Sequence, residues 1–205
     1  MNGMMREGSR RSREVGGDSS YPIFVGKFDC THLSAQRTHH FFVDEDCTEI
    51  DDLFFGHPDW ASLVEKALKD ELSELKQLSQ TRYLIGVLLG EVGNGGTDQW
   101  FDSCGHFAIE TVEALRLIRA DKTADKLAEL GAMFPGSRPS KDEEVRSEQL
   151  TQLLDTSEAF RVGVEDFDKW LMGEMVSGDD FVFGDDDVID LFAQYEVRAQ
   201  AFAGN

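Results

Sequence analysis

The chain has little cysteine and no long apolar run. Its three cysteines, Cys30, Cys47 and Cys104, are an odd number without CxxC spacing, which argues against a disulfide framework and against a zinc knuckle. No stretch approaches the roughly 18 consecutive apolar residues of a membrane helix, and the N-terminus lacks the apolar segment of a signal peptide. We therefore expect reduced thiols, no membrane span and a cytoplasmic protein.

Basic residues are also scarce. The 205 residues include 40 acidic and 20 basic side chains, which gives a net charge of −20. A protein with this charge repels nucleic acid and anionic membranes, so we expect no direct binding to either. The apolar content of 40% is sufficient for a packed core.

Composition divides the chain into three parts. Residues 1–20 are rich in Gly, Ser and Arg and lack apolar periodicity, which predicts a disordered, mobile tail. Residues 21–58 alternate short apolar clusters with acidic stretches, and we assign this N-terminal extension no secondary structure. Residues 59–205 are predicted to form a single compact multi-helix domain.

Apolar residues recur at helical spacing from Pro58 onward. The pattern predicts one long amphipathic helix from an N-cap at Asp59 to Leu78, and a buried run over residues 83–92. Further helices are predicted over residues 107–118 and 121–133, from a capping box at Ser140 and Glu143 to Leu154, and over residues 158–175 and 186–201. The predicted fold class is mainly α, without a repeat of 20 to 50 residues.

The stretch from Glu91 to Phe101 is the most distinctive of the chain. Gly93 to Gly96 are expected to supply the positive φ angles that end the buried run, with Asn94 in a left-handed conformation. We expect Asp98 to cap the next helix, Gln99 to satisfy backbone groups of the turn, and Trp100 and Phe101 to be mostly core. The candidate motif, a structural turn or the edge of a cleft, comprises Glu91, Asn94, Gly95, Gly96, Gln99 and Trp100.

This motif resembles a known family. The residues Glu91-Val92-Gly93-Asn94-Gly95-Gly96-x-x-Gln99-Trp100-Phe101, followed by Thr111-Val112-Glu113-Ala114-Leu115, are similar to the bacterial family built around DNA mimic protein nineteen and its C-terminal domain of unknown function. The resemblance covers roughly residues 60 to 200. Three positions depart from the family pattern: Gly93 and Ser103 replace Asn, and Thr97 replaces an aromatic residue.

The resemblance implies an all-helical fold. For the namesake branch it also implies a protein that presents carboxylates like a DNA phosphate backbone to a basic DNA-binding protein, such as a transcription regulator. Lys and Arg of such a regulator neutralise phosphates, and a rigid acidic surface competes for the same groove.

Acidic residues are concentrated late in the chain. Residues 142–196 contain 17 acidic and three basic side chains. The candidate partner-binding residues are Glu165, Asp166, Asp168, Asp179, Asp180, Asp185, Asp186, Asp187 and Asp190. The alternative is a solvated acidic surface without a partner, because acidic residues at a helix start, such as Asp185 to Asp187, complement the helix dipole.

A small hydrolase or metal-dependent enzyme with a site beside the Gly93 to Gly96 turn is the competing hypothesis. The nearest nucleophile pair, Cys104 and His106, is a poor dyad because residues two apart on a helix point in different directions. His39 and His40 precede three acidic residues without HExxH spacing, and the glycine turn lacks GxxxxGK[ST]. We therefore predict no catalytic residue, no metal site and no cofactor.

Overall fold

A computed structural model describes residues 51–177, 180–182 and 184–203 of the protein. The predicted tail and most of the predicted extension lie outside these residues, as do Cys30, Cys47 and the His39-His40 pair.

The described residues form a mainly α-helical fold, which confirms the predicted class. The helices are α1 (Trp60–Leu68), α2 (Gln77–Gly95), α3 (Thr97–Cys104), α4 (Ala108–Ile118), α5 (Asp121–Ala132), α6 (Glu143–Thr156), α7 (Glu158–Met172) and α8 (Val188–Ala203). A π-helical turn spans Asp51–Phe55, and short 3-10 turns span Leu72–Glu74, Gly105–Phe107 and Pro135–Ser137. Strands β1 (Glu174–Ser177) and β2 (Asp180–Val182) form an antiparallel hairpin between α7 and α8.

Helix α2 lies at the centre of the described fold. It packs against α1, α3, α4, α7 and α8. Its buried side chains lie on several sides of the helix, as expected for a helix that is apolar all round. The aromatic rings of Phe101, Phe134 and Phe160 form a second part of the core, with ring centroids 5.0 to 6.0 Å apart. Trp100 and Phe101 are both fully buried, as the sequence predicts.

The prediction of one long helix from Asp59 to Leu78 is wrong. Helix α1 ends at Leu68, and Asp70 takes a positive φ of 59° that an α helix does not allow. The following 3-10 turn returns Leu72 to the core before α2 begins at Gln77. Helical spacing persists through this break because the apolar residues on both sides of it face the same core.

The predicted turn at Gly93 to Gly96 is also wrong in detail. Helix α2 continues through Gly95, so Asn94 is helical and not left-handed. Of the residues from Gly93 to Gly96, only Gly96 has a positive φ, of 93°. Helix α3 begins at the next residue. Asp98 therefore lies inside the first turn of α3, where its Oδ1 accepts a hydrogen bond from the Gln99 N–H rather than capping the helix.

Two other helix ends differ from the prediction. Asp142, not Ser140, is the N-cap of α6, and its Oδ1 accepts a hydrogen bond of 3.0 Å from the Val145 N–H. Helix α7 ends at Met172 because Gly173 adopts a φ of 82°, and the chain then enters the hairpin that the sequence did not predict.

Residues 51–55 and α8 pack together on α2. Phe54 is fully buried, and its ring centroid lies 4.7 Å from that of Phe192 in α8. The buried Arg82 guanidinium of α2 donates to the Leu53 carbonyl at 3.1 Å and forms a salt bridge with Glu196. None of the helices described here is long and apolar enough to cross a membrane.

Candidate functional site

Asp168 of α7 caps α3 from a distant part of the chain. Its Oδ1 accepts hydrogen bonds from the Thr97 N–H at 2.7 Å and from the Thr97 hydroxyl at 2.5 Å. Thr97 is fully buried, and a Cβ at Gly96 would lie 3.0 Å from Asp168 Oδ2, so Gly96 provides the room for this approach. Asp168 therefore satisfies one free N–H group at a helix start, where negative charge is favourable.

Asp186 repeats this arrangement at the start of α5. Its Oδ2 accepts hydrogen bonds from the Thr123 N–H at 2.8 Å and from the Thr123 hydroxyl at 3.2 Å. The Trp170 indole N–H donates to the same hydroxyl at 2.9 Å. Because Thr123 is fully buried, this Asp holds the segment before α8 against α5.

Three neighbouring carboxylates also have partners within the protein. Asp187 Oδ1 accepts a hydrogen bond from the Asp190 N–H in the first turn of α8, and Asp190 accepts one from the Gln194 side chain. Asp185 forms an exposed salt bridge of 2.5 Å with Lys122, and this contact lowers the pKa of Asp185. The first two contacts lie within α8 and its N-cap, whereas the third joins two exposed side chains.

The remaining predicted partner residues differ in their surroundings. Glu165 and Asp166 are exposed on α7. Asp180 begins β2, and only its backbone is described. Asp179 lies outside the described residues. The structure therefore brings Asp168 and Asp186 to helix starts and leaves Glu165 and Asp166 facing solvent.

A second acidic surface lies along α6, and the sequence analysis did not single it out. An open groove of about 890 Å³ has a lining that contains no basic residue. Its acidic lining residues, all exposed, are Asp102, Asp142, Glu143, Glu144, Glu148 and Asp155. We call this surface the α6 groove. The sequence indicates part of this surface, because Glu144, Glu148 and Asp155 recur on one face of a helix. It does not indicate Asp102, which belongs to α3.

Arg146 joins the two sides of the α6 groove. Arg146 is 2% exposed, and its guanidinium donates to the Asp102 carbonyl at 2.8 Å and to the Ser140 carbonyl at 3.0 Å. A further hydrogen bond of 3.3 Å reaches the Lys141 carbonyl. Because backbone carbonyls accept these bonds, the guanidinium fixes α3 relative to α6 without neutralising the groove carboxylates through a direct ion pair.

The predicted motif residues have structural contacts of their own. Gln99 Nε2 donates to Glu91 Oε2 at 2.8 Å, which replaces the predicted contact with backbone groups. The Ser103 hydroxyl lies 3.3 Å from the same carboxylate oxygen and donates to the Gln99 carbonyl at 2.8 Å. These contacts connect the end of α2 to α3, while Trp100 points into the core. No motif residue lines the α6 groove.

The ionisation of Cys104 and His106 does not favour a nucleophilic pair. Burial raises the pKa of the Cys104 thiol to about 12. Burial and the nearby Arg146 charge lower the pKa of His106 to about 4. Both groups are therefore neutral near pH 7, whereas a reactive cysteine requires a thiolate. Among the described residues, no group of three His, Cys, Asp or Glu side chains is arranged to hold a metal ion.

Comparison with known proteins gives one match. A sequence model of the DMP19-like protein family matches residues 73–200, more than half of the chain. The chain belongs to the DMP19-like family. No curated protein and no solved structure matches it. The resemblance seen in the sequence is thus confirmed, and the DMP19-like region contains the α6 groove, Asp168 and Asp186. The DMP19-like family is not a known enzyme family.

Proposed function

We propose that this protein acts in the cytoplasm as a DNA mimic, using the α6 groove to occupy the DNA-binding surface of a basic protein such as a transcription regulator. The observation that carries the proposal is a groove with six exposed carboxylates and no basic lining residue. Membership of the DMP19-like family supports a mimic function in general.

The spacing of carboxylates along α6 supports the same function. Glu144, Glu148 and Asp155 fall within a narrow sector of the helix, and a rise of 1.5 Å per residue separates them by about 6 Å and about 10.5 Å along its axis. Neighbouring phosphates along one strand of duplex DNA lie roughly 6 to 7 Å apart in space, so the step from Glu144 to Glu148 is close to one phosphate step and the step to Asp155 is longer. One pair of α6 carboxylates therefore has phosphate-like spacing.

The groove is also held in place before any partner binds. Leu150 anchors α6 in the core, Asp142 caps its N-terminus, and the buried Arg146 fixes the position of the Asp102 backbone. A preformed surface loses less conformational freedom on binding than a flexible acidic segment, which favours affinity.

The exposed acids of α7 and α8 form a second acidic surface, away from the α6 groove. Glu165, Asp166 and Asp190 retain exposed side chains, in contrast to the capping residues Asp168 and Asp186. We call these three residues the α7–α8 acids. They offer a control that matches the α6 residues in charge and number.

The test is partner capture from the source lysate, followed by competition. The protein is used as bait at about 50 mM and about 200 mM salt, a range over which phosphate-like contacts weaken strongly. A captured basic DNA-binding protein is then bound to its labelled duplex, and release of the duplex by the acidic protein is followed by fluorescence anisotropy. We expect a basic protein to be captured at low salt and lost at high salt, and its labelled duplex to be displaced by the acidic protein.

Two variants with equal charge change locate the surface. Glu144→Gln, Glu148→Gln and Asp155→Asn together neutralise the α6 row, and Glu165→Gln, Asp166→Asn and Asp190→Asn together neutralise the α7–α8 acids. We expect the first variant to lose displacement and the second to retain it. If both variants lose DNA displacement equally, binding depends on net charge and not on the α6 groove. If only the second variant loses displacement, the contact surface lies on α7 and α8. If no basic protein is captured at either salt concentration, mimicry is contradicted.

A further inference from the structure

The carboxylate row of α6 contains a neutral residue. Thr151 is exposed and lines the α6 groove, between Glu148 and Asp155 along the helix. Because successive residues of an α helix are about 100° apart, Thr151 lies about 60° from Glu148 and about 40° from Asp155 around the axis. The three side chains are therefore on one side of α6, and a partner that contacts both carboxylates also covers Thr151.

The hydroxyl of Thr151 is free to bind such a partner. A threonine in a helix can donate to the carbonyl four residues earlier, as the Thr81 and Thr156 hydroxyls do at 2.8 Å and 2.7 Å. In the part of the chain that the structure describes, the Thr151 side chain forms no hydrogen bond. Its hydroxyl therefore keeps one donor and two acceptor positions, whereas the Thr156 hydroxyl has already used its donor.

The row favours two kinds of partner side chain. Each carboxylate attracts a Lys or Arg side chain of a basic protein. A further cation opposite Thr151 would lose water without gaining a carboxylate of its own, which is unfavourable. A neutral amide loses less on burial and can both donate to the hydroxyl and accept from it. Asn and Gln are also the side chains with which DNA-binding proteins read adenine.

The spacing of the row defines a pattern for a helical partner. With a rise of about 1.5 Å per residue, Thr151 lies about 4.5 Å beyond Glu148 and about 6 Å before Asp155 along the axis. A partner helix that lies along α6 matches these steps with a cation, an amide and a cation at positions i, i+3 and i+7, or at i, i+4 and i+7 in the opposite direction. The major groove of DNA admits a helix, so a protein that replaces DNA meets the same element.

We propose that Thr151 is a specificity-determining residue of the α6 groove and selects a basic helix that carries Asn or Gln between two cationic side chains, a specificity that rests on the mimic function proposed above. Glu148 and Asp155 attract the partner by charge. The Thr151 hydroxyl discriminates among basic partners by hydrogen bonding to the amide.

The test is direct binding of the full chain to the captured basic protein, labelled with a fluorophore and free of DNA. Thr151→Val keeps the branched shape and removes the hydroxyl, so the Kd should rise about fivefold, as expected for one lost hydrogen bond. Thr151→Ser keeps the hydroxyl and should bind nearly as well as the parent. Thr156→Val is the matched control on the same exposed side of the fold, and it should leave the Kd unchanged because that hydroxyl is bound to the Gln152 carbonyl.

Salt separates the hydrogen bond from the charge contacts. Glu148→Gln should weaken binding and also reduce its dependence on salt between about 50 mM and about 200 mM, because one charge contact is lost. Thr151→Val should weaken binding by the same factor at both salt concentrations, because it removes no charge.

Substitution of the partner amide completes the test. Each Asn and Gln of the DNA-binding helix in the captured protein is changed to Ala, and one of these changes should weaken binding to the parent but not to Thr151→Val. Equal Kd values for the parent and Thr151→Val, an equal loss with Thr156→Val, or no amide that couples to Thr151 would overturn this role of Thr151 and leave the mimic function intact. Failure to capture any basic protein would contradict the mimic function and the specificity together.

Discussion

Two acidic regions of this molecule place their carboxylates in different surroundings. In α7 and the segment before α8, Asp168 and Asp186 direct their carboxylates at the starts of α3 and α5. Along α6, Glu144, Glu148 and Asp155 are exposed and line a groove. The density of acidic residues therefore does not identify an interaction surface, because a carboxylate bound to a helix N–H group is turned away from a partner.

The two regions also differ in what their loss would do. A capping carboxylate contributes to folding through hydrogen bonds to buried donors, so its removal leaves those donors without partners. A solvated carboxylate contributes little to folding, and repulsion among neighbours of like charge opposes the compact state. Stability and partner binding should therefore depend on separate sets of acids.

The largest stability effect is expected at the residue that joins the groove walls. Arg146→Ala removes three hydrogen bonds from a buried guanidinium and leaves carbonyl acceptors unsatisfied, which should lower the free energy of unfolding by about 3 kcal/mol. Arg146→Lys keeps the charge but cannot reach all three carbonyls, so it should restore only part of the loss. Chemical denaturation measures both, and a neutral result for Arg146→Ala would show that the groove is held in another way.

The next effect is expected at the capping residue of α3. Asp168→Ala should lower the free energy of unfolding by about 1–2 kcal/mol, because the Thr97 N–H and hydroxyl lose their acceptor. Glu165→Ala, on the same helix but exposed, should change stability by no more than about 0.5 kcal/mol. Equal losses in the two variants, measured by denaturation, would remove the distinction between capping and solvated acids.

A smaller effect is expected from the protonation of His106, in the 3-10 turn after α3. Because the folded state keeps the pKa of His106 near 4, below its usual 6.5, the unfolded chain binds more protons between these values. The contribution of neutral His106 to the free energy of unfolding is fully present above pH 6.5 and is lost as the pH falls toward 4. After allowance for the exposed part of the ring, the loss is on the order of 1 kcal/mol.

His106→Gln provides the control for this pH effect. Its neutral side chain should reduce the loss of stability between pH 6.5 and pH 4, measured as the unfolding midpoint in matched buffers. An identical pH dependence in the two proteins would assign the acid sensitivity to the carboxylates instead.

The smallest effect on stability is expected in the α6 groove itself. Combined Glu144→Gln, Glu148→Gln and Asp155→Asn should leave the free energy of unfolding within about 0.5 kcal/mol of the parent, because all three side chains are exposed. A thermal melt of this variant tests the claim. A large loss of stability would mean that these acids are structural, and the binding experiments on the same variant would then lose their meaning.

Most helices were predictable from the sequence, and their ends were not. The spacing of apolar residues identified α4, α5 and α7 closely, because each helix has one buried face. The break at Asp70 was missed because a positive φ at a non-glycine residue leaves no signal in apolar spacing. The end of α2 was misplaced because glycines 93 and 95 are helical, and only Gly96 needs the conformation that favours glycine.

The helical class, the family, the acidic excess and the burial of Trp100 and Phe101 can be read from the sequence alone, since they depend on composition, motif and local periodicity. Which acids are engaged depends instead on tertiary contacts. Asp168 meets Thr97 across 71 positions, Asp186 meets Thr123 across 63, and Arg146 meets the Asp102 carbonyl across 44. Hydrogen bonds at such separations depend on how helices pack against one another, and local sequence patterns do not encode that geometry.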